Sequence, residues 1–348
     1  MTAIRFPHTN VDGRIAQEMT HTLYYTPAWL DLITKLYGYS PIALSSTNAS
    51  GQVAGFLPLC LIQSRVTGRR LVSLPFSDHC PLLAADEASA NDLVDQAVHL
   101  AQEKRVKYLE LRTGVNGFLA KRTDLVAGDL YVLWLKPLVA DIEAVWLSIH
   151  KSVREGVKKA QSRRVQVHLA ERRESMEHYY RLHLLTRSKK HGMPAQSRRY
   201  FFGLWDAFAP SGALRLWLAE HQGIVVAAAI SLASGTTVRW AYISSDERYL
   251  SLAPNHLLIW STISWACANG YSTLDMGRTA RDNNGLMDFK RSWGAIMEPL
   301  AYYYYPRMAG LVATSEKSWK YRLLTGCWRR LPLQVAAPLG DYLYKHLG

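Results

Sequence analysis

Four short stretches in the second half of the chain carry residue types that hold anions or stabilise charge during group transfer. In "HKSVREGVKKAQSRRV", His150 to Val165, the residues Val153, Val157 and Ala160 share one helical face, and Arg154 and Lys158 form a neighbouring i,i+4 stripe. Two cations so spaced repel by roughly 0.2–0.5 kcal/mol unless an anion lies over them; the competing reading is a solvated basic helix. In "TRSKKHGMP", Thr186 to Pro194, His191-Gly192 has the makings of a helix C-terminus, and His191 is also placed to contact an acceptor. In "SLAPNHLLIW", Ser251 to Trp260, Pro254-Asn255 opens an apolar helix whose first N–H groups point into the loop. That is a place for an anion or a carbonyl oxygen, or an ordinary helix start with Asn255 near the cap. The fourth stretch, "LDMGRTARDNNGLMDFKRSWGA", Leu274 to Ala295, reads as strand, polar loop and short helix. Leu274 and Met276 take one side of the strand, Thr273 and Asp275 the other. Leu286, Phe289 and Trp293 have the spacing of a core-facing helical stripe. Lys290 stands one step off that stripe, over Gly277-Arg278 at the strand end. Asp275 is a base candidate there, with an ion pair to Arg278 as its competing role.

These residues need elements to hold them. In the first part, "TPAWLDLITKLYG" has Pro27 after Thr26, apolar residues at 29, 30, 33 and 36, and Gly38 as a stop, the marks of a helix. "SPIALSST", "QVAGFLPLCLIQ" and "RRLVSLPF" read as strands, "ANDLVDQAVHLAQEKR" as a helix, and "KYLELRT" as a further strand. A second unit repeats the plan. "RVQVHLA" is a strand, "ESMEHYYRLHLLTRSKKHG" and "SRRYFFGLWDAFA" are helices, and "LRLWLAEHQG", "IVVAAAISLAS" and "TVRWAYISS" form a meander. A long helix, "PNHLLIWSTISWACANGY", and the strands "STLDMG" and "AYYYYP" complete it. The fold class is therefore α/β with mixed sheets: two units over 1–140 and 141–305, then a basic, amphipathic helical tail over 306–348.

The 348 residues are 49% hydrophobic and 20% charged, a composition that supports a core rather than disorder. Cys60, Cys80, Cys267 and Cys327 are far apart, without the spacing of a zinc site or a disulfide framework, so no metal is expected and a reducing, cytoplasmic setting is. "MTAIRFPHTNVDGR" has no apolar core of a signal peptide, and the apolar run "IVVAAAISLA" is too short to cross a bilayer as a helix. The net charge of +13 is concentrated: residues 151–200 carry 14 basic and 4 acidic side chains, and the tail 7 and 2. Such patches suit a polyanion, a phosphate-bearing ligand or an anionic membrane at whose inner face the tail rests, or else they are solvated faces. Walker A, HExxH, GxSxG and strand-linked GxGxxG patterns are missing, which removes the main support for NTPase, zinc-protease, hydrolase and dinucleotide-fold readings.

The order "YISSDERYLSLAPNHLLIWSTISWACANGYSTLDMGR", "GLMDFKRSWGA", "LAYYY", preceded by "SVREGVKKAQSRRVQV" and by "LVSLPFSDHCPLL" in the first half, resembles FemAB-related acyltransferases of the GNAT superfamily, with relatives of the CelD/BcsL acetyltransferase type. The resemblance covers roughly 20–305. It implies two tandem GNAT-like domains packed as one body, and transfer of an acyl or aminoacyl group to an amine or a hydroxyl. Some members of that family take aminoacyl-tRNA and others are thought to take acyl-CoA. The usual GNAT pyrophosphate loop is replaced here by "DERYLSLAPNHL", a departure shared with FemAB-type proteins.

Transfer of this kind needs a neutral nucleophile, donors for the tetrahedral oxyanion and a path for the proton. On that reading Arg154, Lys158, Arg278, Lys290 and Asn255 hold the donor, acyl-CoA or alternatively aminoacyl-tRNA. Asn255 and Tyr242 position the reacting groups, and Asp275 is the base candidate. Asp78, His79, His191, Arg239 and Trp293 are the acceptor-side candidates. The acceptor expected is a small molecule or a lipid- or sugar-linked precursor of the cell envelope or of a polysaccharide. A reading of another class, a non-catalytic module docked on an anionic membrane or a nucleic acid, accounts for the charge patches but not for the ordered loop–helix arrangement.

Overall fold

The computed structural model describes residues 10–65, 67–306 and 319–346; the start of the expected N-terminal stretch and residues 307–318 of the tail lie outside the described residues. The strands are β1 (Ser40–Thr47), β2 (Val53–Ser64), β3 (Gly68–Ser73), β4 (Leu83–Ala84), β5 (Leu109–Leu111), β6 (Val126–Pro137), β7 (Gln166–Leu169), β8 (Leu214–His221), β9 (Ile224–Ser234), β10 (Thr237–Ser245), β11 (Thr273–Ala280) and β12 (Ile296–Tyr305). The α-helices are α1 (Gly13–Thr20), α2 (Pro27–Tyr37), α3 (Glu87–Glu103), α4 (Ile142–Leu147), α5 (Lys151–Ser162), α6 (Met176–Leu184), α7 (Arg198–Phe208), α8 (Pro254–Ala268), α9 (Asn284–Ser292), α10 (Trp319–Arg330) and α11 (Leu333–Tyr344).

The chain forms two compact units. The first takes Met1–Val132, Pro299–Ala313 and Lys345–Gly348, and the second Leu133–Glu298 and Thr314–Tyr344. In the first unit the strand order is β1-β2-β3-β5-β12, with β4 on β2. β1, β2 and β3 pair antiparallel, whereas β3 and β5 run parallel through Leu71↔Leu109 and Val72↔Glu110. The connection between that parallel pair contains α3, whose Leu93, Val94 and Ala97 pack with Leu57, Leu59, Leu71, Leu109 and Leu111. The 3.6-residue spacing of the apolar positions in α3 and the alternation in β3 and β5 bring those side chains together. α2 starts on the Thr26 side chain and ends at Gly38, whose φ of 69° is the left-handed stop the sequence calls for.

In the second unit the order is β6-β11-β10-β9-β8-β7. β8 and β9 join through Gln222-Gly223, both at positive φ, as a two-residue hairpin turn requires. β9 is a nearly continuous buried apolar run, and α8 packs against it and against α5. α6 is continued by a single π-helical segment, Leu185–Lys190.

The structure corrects several expectations. β6, a twelve-residue strand, escaped the sequence reading because "VAGDLYVLWLKP" mixes exposed, half-buried and buried positions without strict alternation. β11 does not stop at Gly277 but runs on to Ala280, with Gly277 inside it at φ 75°. In α9 the expected apolar stripe is only partly buried: Trp293, just past the helix, is 0% exposed, yet Leu286 is 37% exposed and the helix's buried residue is Lys290, at 6%. The helix is held by a lysine reaching inward as much as by its hydrophobes. α10 and α11 are the helices of the tail, and both pack within the second unit.

Candidate active site

β10 and β11 run parallel and in register only from Thr237↔Thr273 to Arg239↔Asp275, although the strands are nine and eight residues long. The bulge in the β9–β10 pairing between Trp240 and Tyr242 coincides with the point where β10 leaves β11. A bulge turns a strand and raises its twist, so the two strands part at this point. Backbone beyond it on β10, Tyr242 to Ser245, is bonded to β9 on one side and has no registered partner on β11.

Between these strands in sequence comes α8. Its N-cap position is Ala253, left-handed at φ 55°, which has no side chain to satisfy the first-turn N–H groups, and Pro254 is the first helical residue. The first N–H groups of a helix carry partial positive charge and attract an oxyanion or carbonyl oxygen. Asn255 follows. Its Nδ2 donates to Ser245 Oγ at 3.3 Å, and its Oδ1 is buried without a hydrogen-bond partner. The adjacent Ser244 side chain, on the other face of β10, is 1% exposed and also unpartnered. A buried polar atom without a partner costs about 1–3 kcal/mol, a cost that folds retain where a ligand or water completes the bond.

The flanks of the gap are set by charge. Asp275 Oδ2 is bonded by Arg239 Nη1 at 2.7 Å, and Oδ1 accepts from Gly277 N at 2.7 Å. The ion pair foreseen with Arg278 is thus made by Arg239 instead, because parallel register puts Arg239 directly beside Asp275. Lys290 Nζ donates to Gly277 O at 2.9 Å and Arg278 O at 3.0 Å, so its ammonium clamps α9 to the far part of β11. Tyr242 OH lies 2.5 Å from Tyr200 OH of α7.

On α5, Arg154 turns back and its Nη1 caps the carbonyls of Trp146, Leu147 and Ile149 at 3.1–3.4 Å, where the end of α4 attracts a cation. Lys158 remains exposed. Gly156 lets α5 approach α8: a Cβ there would stand 2.6 Å from His256 Cδ2. The His256 ring packs near Phe289 and Trp293, and burial holds its pKa below the ordinary imidazole value. His191 follows the π-helical segment, with Gly192 at φ 64°; burial and the neighbouring Arg187 and Lys190 lower its pKa. Asp78 and His79 belong to the first unit. There Asp78 O accepts from Tyr302 OH at 2.6 Å, and His79 Nε2 lies 3.1 Å from Thr113 O.

Sequence reasoning passed over Lys136 on β6. It is 1% exposed, donates to Ser148 Oγ at 2.9 Å, and burial lowers its pKa. It also passed over His183 and Arg187. A lysine in a strand otherwise rich in hydrophobes was the available signal for the first, and the cationic run "TRSKK" in an amphipathic helix for the last.

Residues 148–291 match the family model described as Acetyltransferase (GNAT) domain. The chain carries a GNAT domain. That domain spans α5 to α9, so the parted strands, α8 and Lys290 all lie inside it, and its activity class is N-acyl transfer. The fold as a whole is similar to that of FemX, with a TM-score of 0.68 at 16% identity, covering 84% of this chain and 94% of that one. It is similar to L-PGS from Bacillus licheniformis (TM-score 0.55, 12% identity, 88% and 98% covered). It is also similar to the C-terminal domain of a putative lysylphosphatidylglycerol synthetase from Agrobacterium fabrum (0.52, 15%, 80% and 87%). No curated protein matches the chain in sequence.

Proposed function

We propose that the GNAT domain moves an acyl group from a thioester donor of the acyl-CoA type to an amine or hydroxyl of a cell-envelope, polysaccharide or lipid precursor. The observation that carries this reading is the parting of β10 from β11 beside the uncapped start of α8. A thioester carbonyl laid in that gap would meet the N–H groups of β10 and α8, which stabilise the oxyanion as the nucleophile adds. Asn255, with one amide atom fixed on Ser245 and the other unpartnered, is the side chain poised to orient the reacting groups. Lys290 and Asp275 shape the gap: the first anchors α9 on β11, and the second, bound to Arg239, fixes the strand where it diverges. Asp275 is therefore a positioning residue in this reading rather than a base. The nucleophile is activated by loss of its proton to solvent or to a neighbouring neutral group, without a covalent enzyme intermediate.

An aminoacyl-tRNA donor is the second reading. It is favoured by the exposed cations of α5 and by the fold shared with FemX and with a lysylphosphatidylglycerol synthetase. The sequence "DERYLSLAPNHL" forms a 3-10 helix, Glu247–Leu252, in place of a phosphate-binding loop, and Asp246 pairs with Arg248 at 2.6 Å. Among the described residues no helix is long and apolar enough to cross a membrane and no cluster suits a metal ion.

Thermal melting of the full chain with acetyl-CoA and, separately, with aminoacyl-tRNA tests the donor. Stabilisation by acetyl-CoA, rising with concentration as RT ln(1 + [L]/Kd), is the expected result. Stabilisation by aminoacyl-tRNA alone selects the second reading, and stabilisation by anionic vesicles alone would remove both in favour of a docking module.

A further inference from the structure

On the face of β10 opposite Asn255 lies a group of polar side chains that the transfer reaction above does not use. Side chains alternate along a strand, so Ser244 points away from the side on which Ser245 meets Asn255. Ser244 stands beside the Tyr179 phenol of α6, and Tyr179 OH lies 3.4 Å from His183 Nδ1, one helical turn further on. His183, at 3% exposure, and Gln196 beside it are buried, and His183 Nε2, Gln196 Oε1 and Ser244 Oγ all lack a hydrogen-bond partner.

Arg187 overlooks this group from the π-helical segment. Its Nε donates to Pro194 O at 3.3 Å, and among the described residues no carboxylate pairs with it. Its charge acts on His183, His191, Tyr179 and Tyr344, and depresses the pKa of both histidines alongside burial. Tyr344 comes from α11, outside the matched GNAT domain, and stands beside Arg187 and in the field of Arg278. The nearby acid Glu247 is already matched to Lys190 at 3.9 Å. The result is a half-buried guanidinium without a counter-ion, flanked by phenol and hydroxyl groups and a neutral imidazole, next to buried polar atoms left open. That is the donor set of an anion site.

We propose that Arg187, Tyr344, Tyr179, His183 and Ser244 bind one anionic group, a carboxylate or a phosphate monoester, of the acyl acceptor. The assignment to the acceptor rests on the acyl-transfer reading, in which the donor carbonyl enters on the α8 side of β10. The acceptor is accordingly an anionic molecule whose amine or hydroxyl reaches the gap while its charge is held on the α6 side.

The test uses the full chain and three probes: inorganic phosphate, acetate and acetyl-CoA. Calorimetric titration at constant ionic strength, with chloride as the reference anion, should show saturable binding of phosphate or acetate to the wild type. Whichever binds more tightly identifies phosphate or carboxylate as the group. Arg187→Met should weaken that binding at least about tenfold, since a charge-assisted pair is lost. Tyr344→Phe should weaken it by a smaller factor, and acetyl-CoA binding should be unchanged in both. Should Arg187→Met melt early without any anion, Ser244→Ala, a change of one oxygen, replaces it and should also weaken binding. No preference over chloride up to about 10 mM, or wild-type affinity in Arg187→Met or Ser244→Ala, overturns the proposal. Anion binding that depends on Arg187 with no response to acetyl-CoA upholds the site and removes the acyl-CoA reading instead.

Discussion

Both units contain a parallel strand pair joined through a helix, and the two differ in how that motif ends. In the first unit, α3 starts on Asp86, whose carboxylate accepts from Ser89 N at 2.7 Å. The strand ends there are stitched. Arg112 N donates to Ser73 Oγ at 3.0 Å, Arg112 Nη1 to Ser77 O at 2.9 Å, Cys80 N to Arg112 O at 2.8 Å, and Arg112 Nε pairs with Glu110 at 2.6 Å. In the second unit, α8 starts on an alanine that caps nothing, and Asn255 Oδ1 and Ser244 Oγ at the strand end are unpartnered. The same topology is closed by its own side chains in one unit and left for a ligand in the other. Secondary structure alone does not locate the site; the unsatisfied donors and acceptors do.

The contrast is broken most severely at Asn255. Asn255→Ala should lower turnover about a hundredfold with the fold retained, as loss of a polar group on a developing charge does; Asp86→Ala should leave turnover unchanged and only lower the melting temperature. Steady-state kinetics on both variants, with circular dichroism as a control, decide it. Next in size is Lys290→Met, which strands the carbonyls of Gly277 and Arg278 and should destabilise the chain by about 1–3 kcal/mol in urea titration. Gly156→Ala pushes a methyl into the His256 ring and should cost about 1–3 kcal/mol, measured the same way.

A smaller effect follows from His183, whose pKa is held well below 6.5 by burial and by Arg187. Above that value both folded and unfolded chains carry it neutral. As the pH falls below it the unfolded chain takes up a proton that the folded chain refuses, so stability present at neutral pH is lost toward acid. His183→Gln should flatten the pH dependence of the urea midpoint between about pH 5 and 7. The mildest change is Ala253→Gly, which relieves a left-handed alanine and should raise stability by about 1 kcal/mol with α8 still uncapped.

Much of the fold was legible because its signals are local. Thr26-Pro27 and Gly38 bracket α2, Gln222-Gly223 turns β8 into β9, and Pro254 starts α8, each through its own backbone preference. β6 and the inward lysines were not. Whether Lys136 or Lys290 points into the protein depends on carbonyl and hydroxyl partners from distant segments, Ser148, Gly277 and Arg278. At the site, the stretches carrying Asn255 and Asp275 stood out as polar content in apolar surroundings. Asp275 was matched with the wrong arginine because strand register, not sequence proximity, chooses the partner. Arg187 and His183 were hidden in a run that reads as an ordinary basic helix.

The π-helical segment after α6 has a consequence for how the gene can change. Such a segment holds one residue more than the α-helix it interrupts, and each α-helical residue turns the chain by about 100°. Deleting a single codon within Leu185–Lys190 would restore regular winding and rotate what lies beyond the deletion by that angle relative to α6. Lys189, whose ammonium now meets Arg329 O at 3.2 Å and Leu331 O at 2.6 Å, would swing away from α10. Gly192, packed so tightly on Thr325 that a Cβ would come within 2.3 Å of its carbonyl oxygen, would lose its seat. Point substitutions along this stretch are therefore far better tolerated than a one-residue deletion, and lineages that lack the extra residue would need a different way to seat the C-terminal helices.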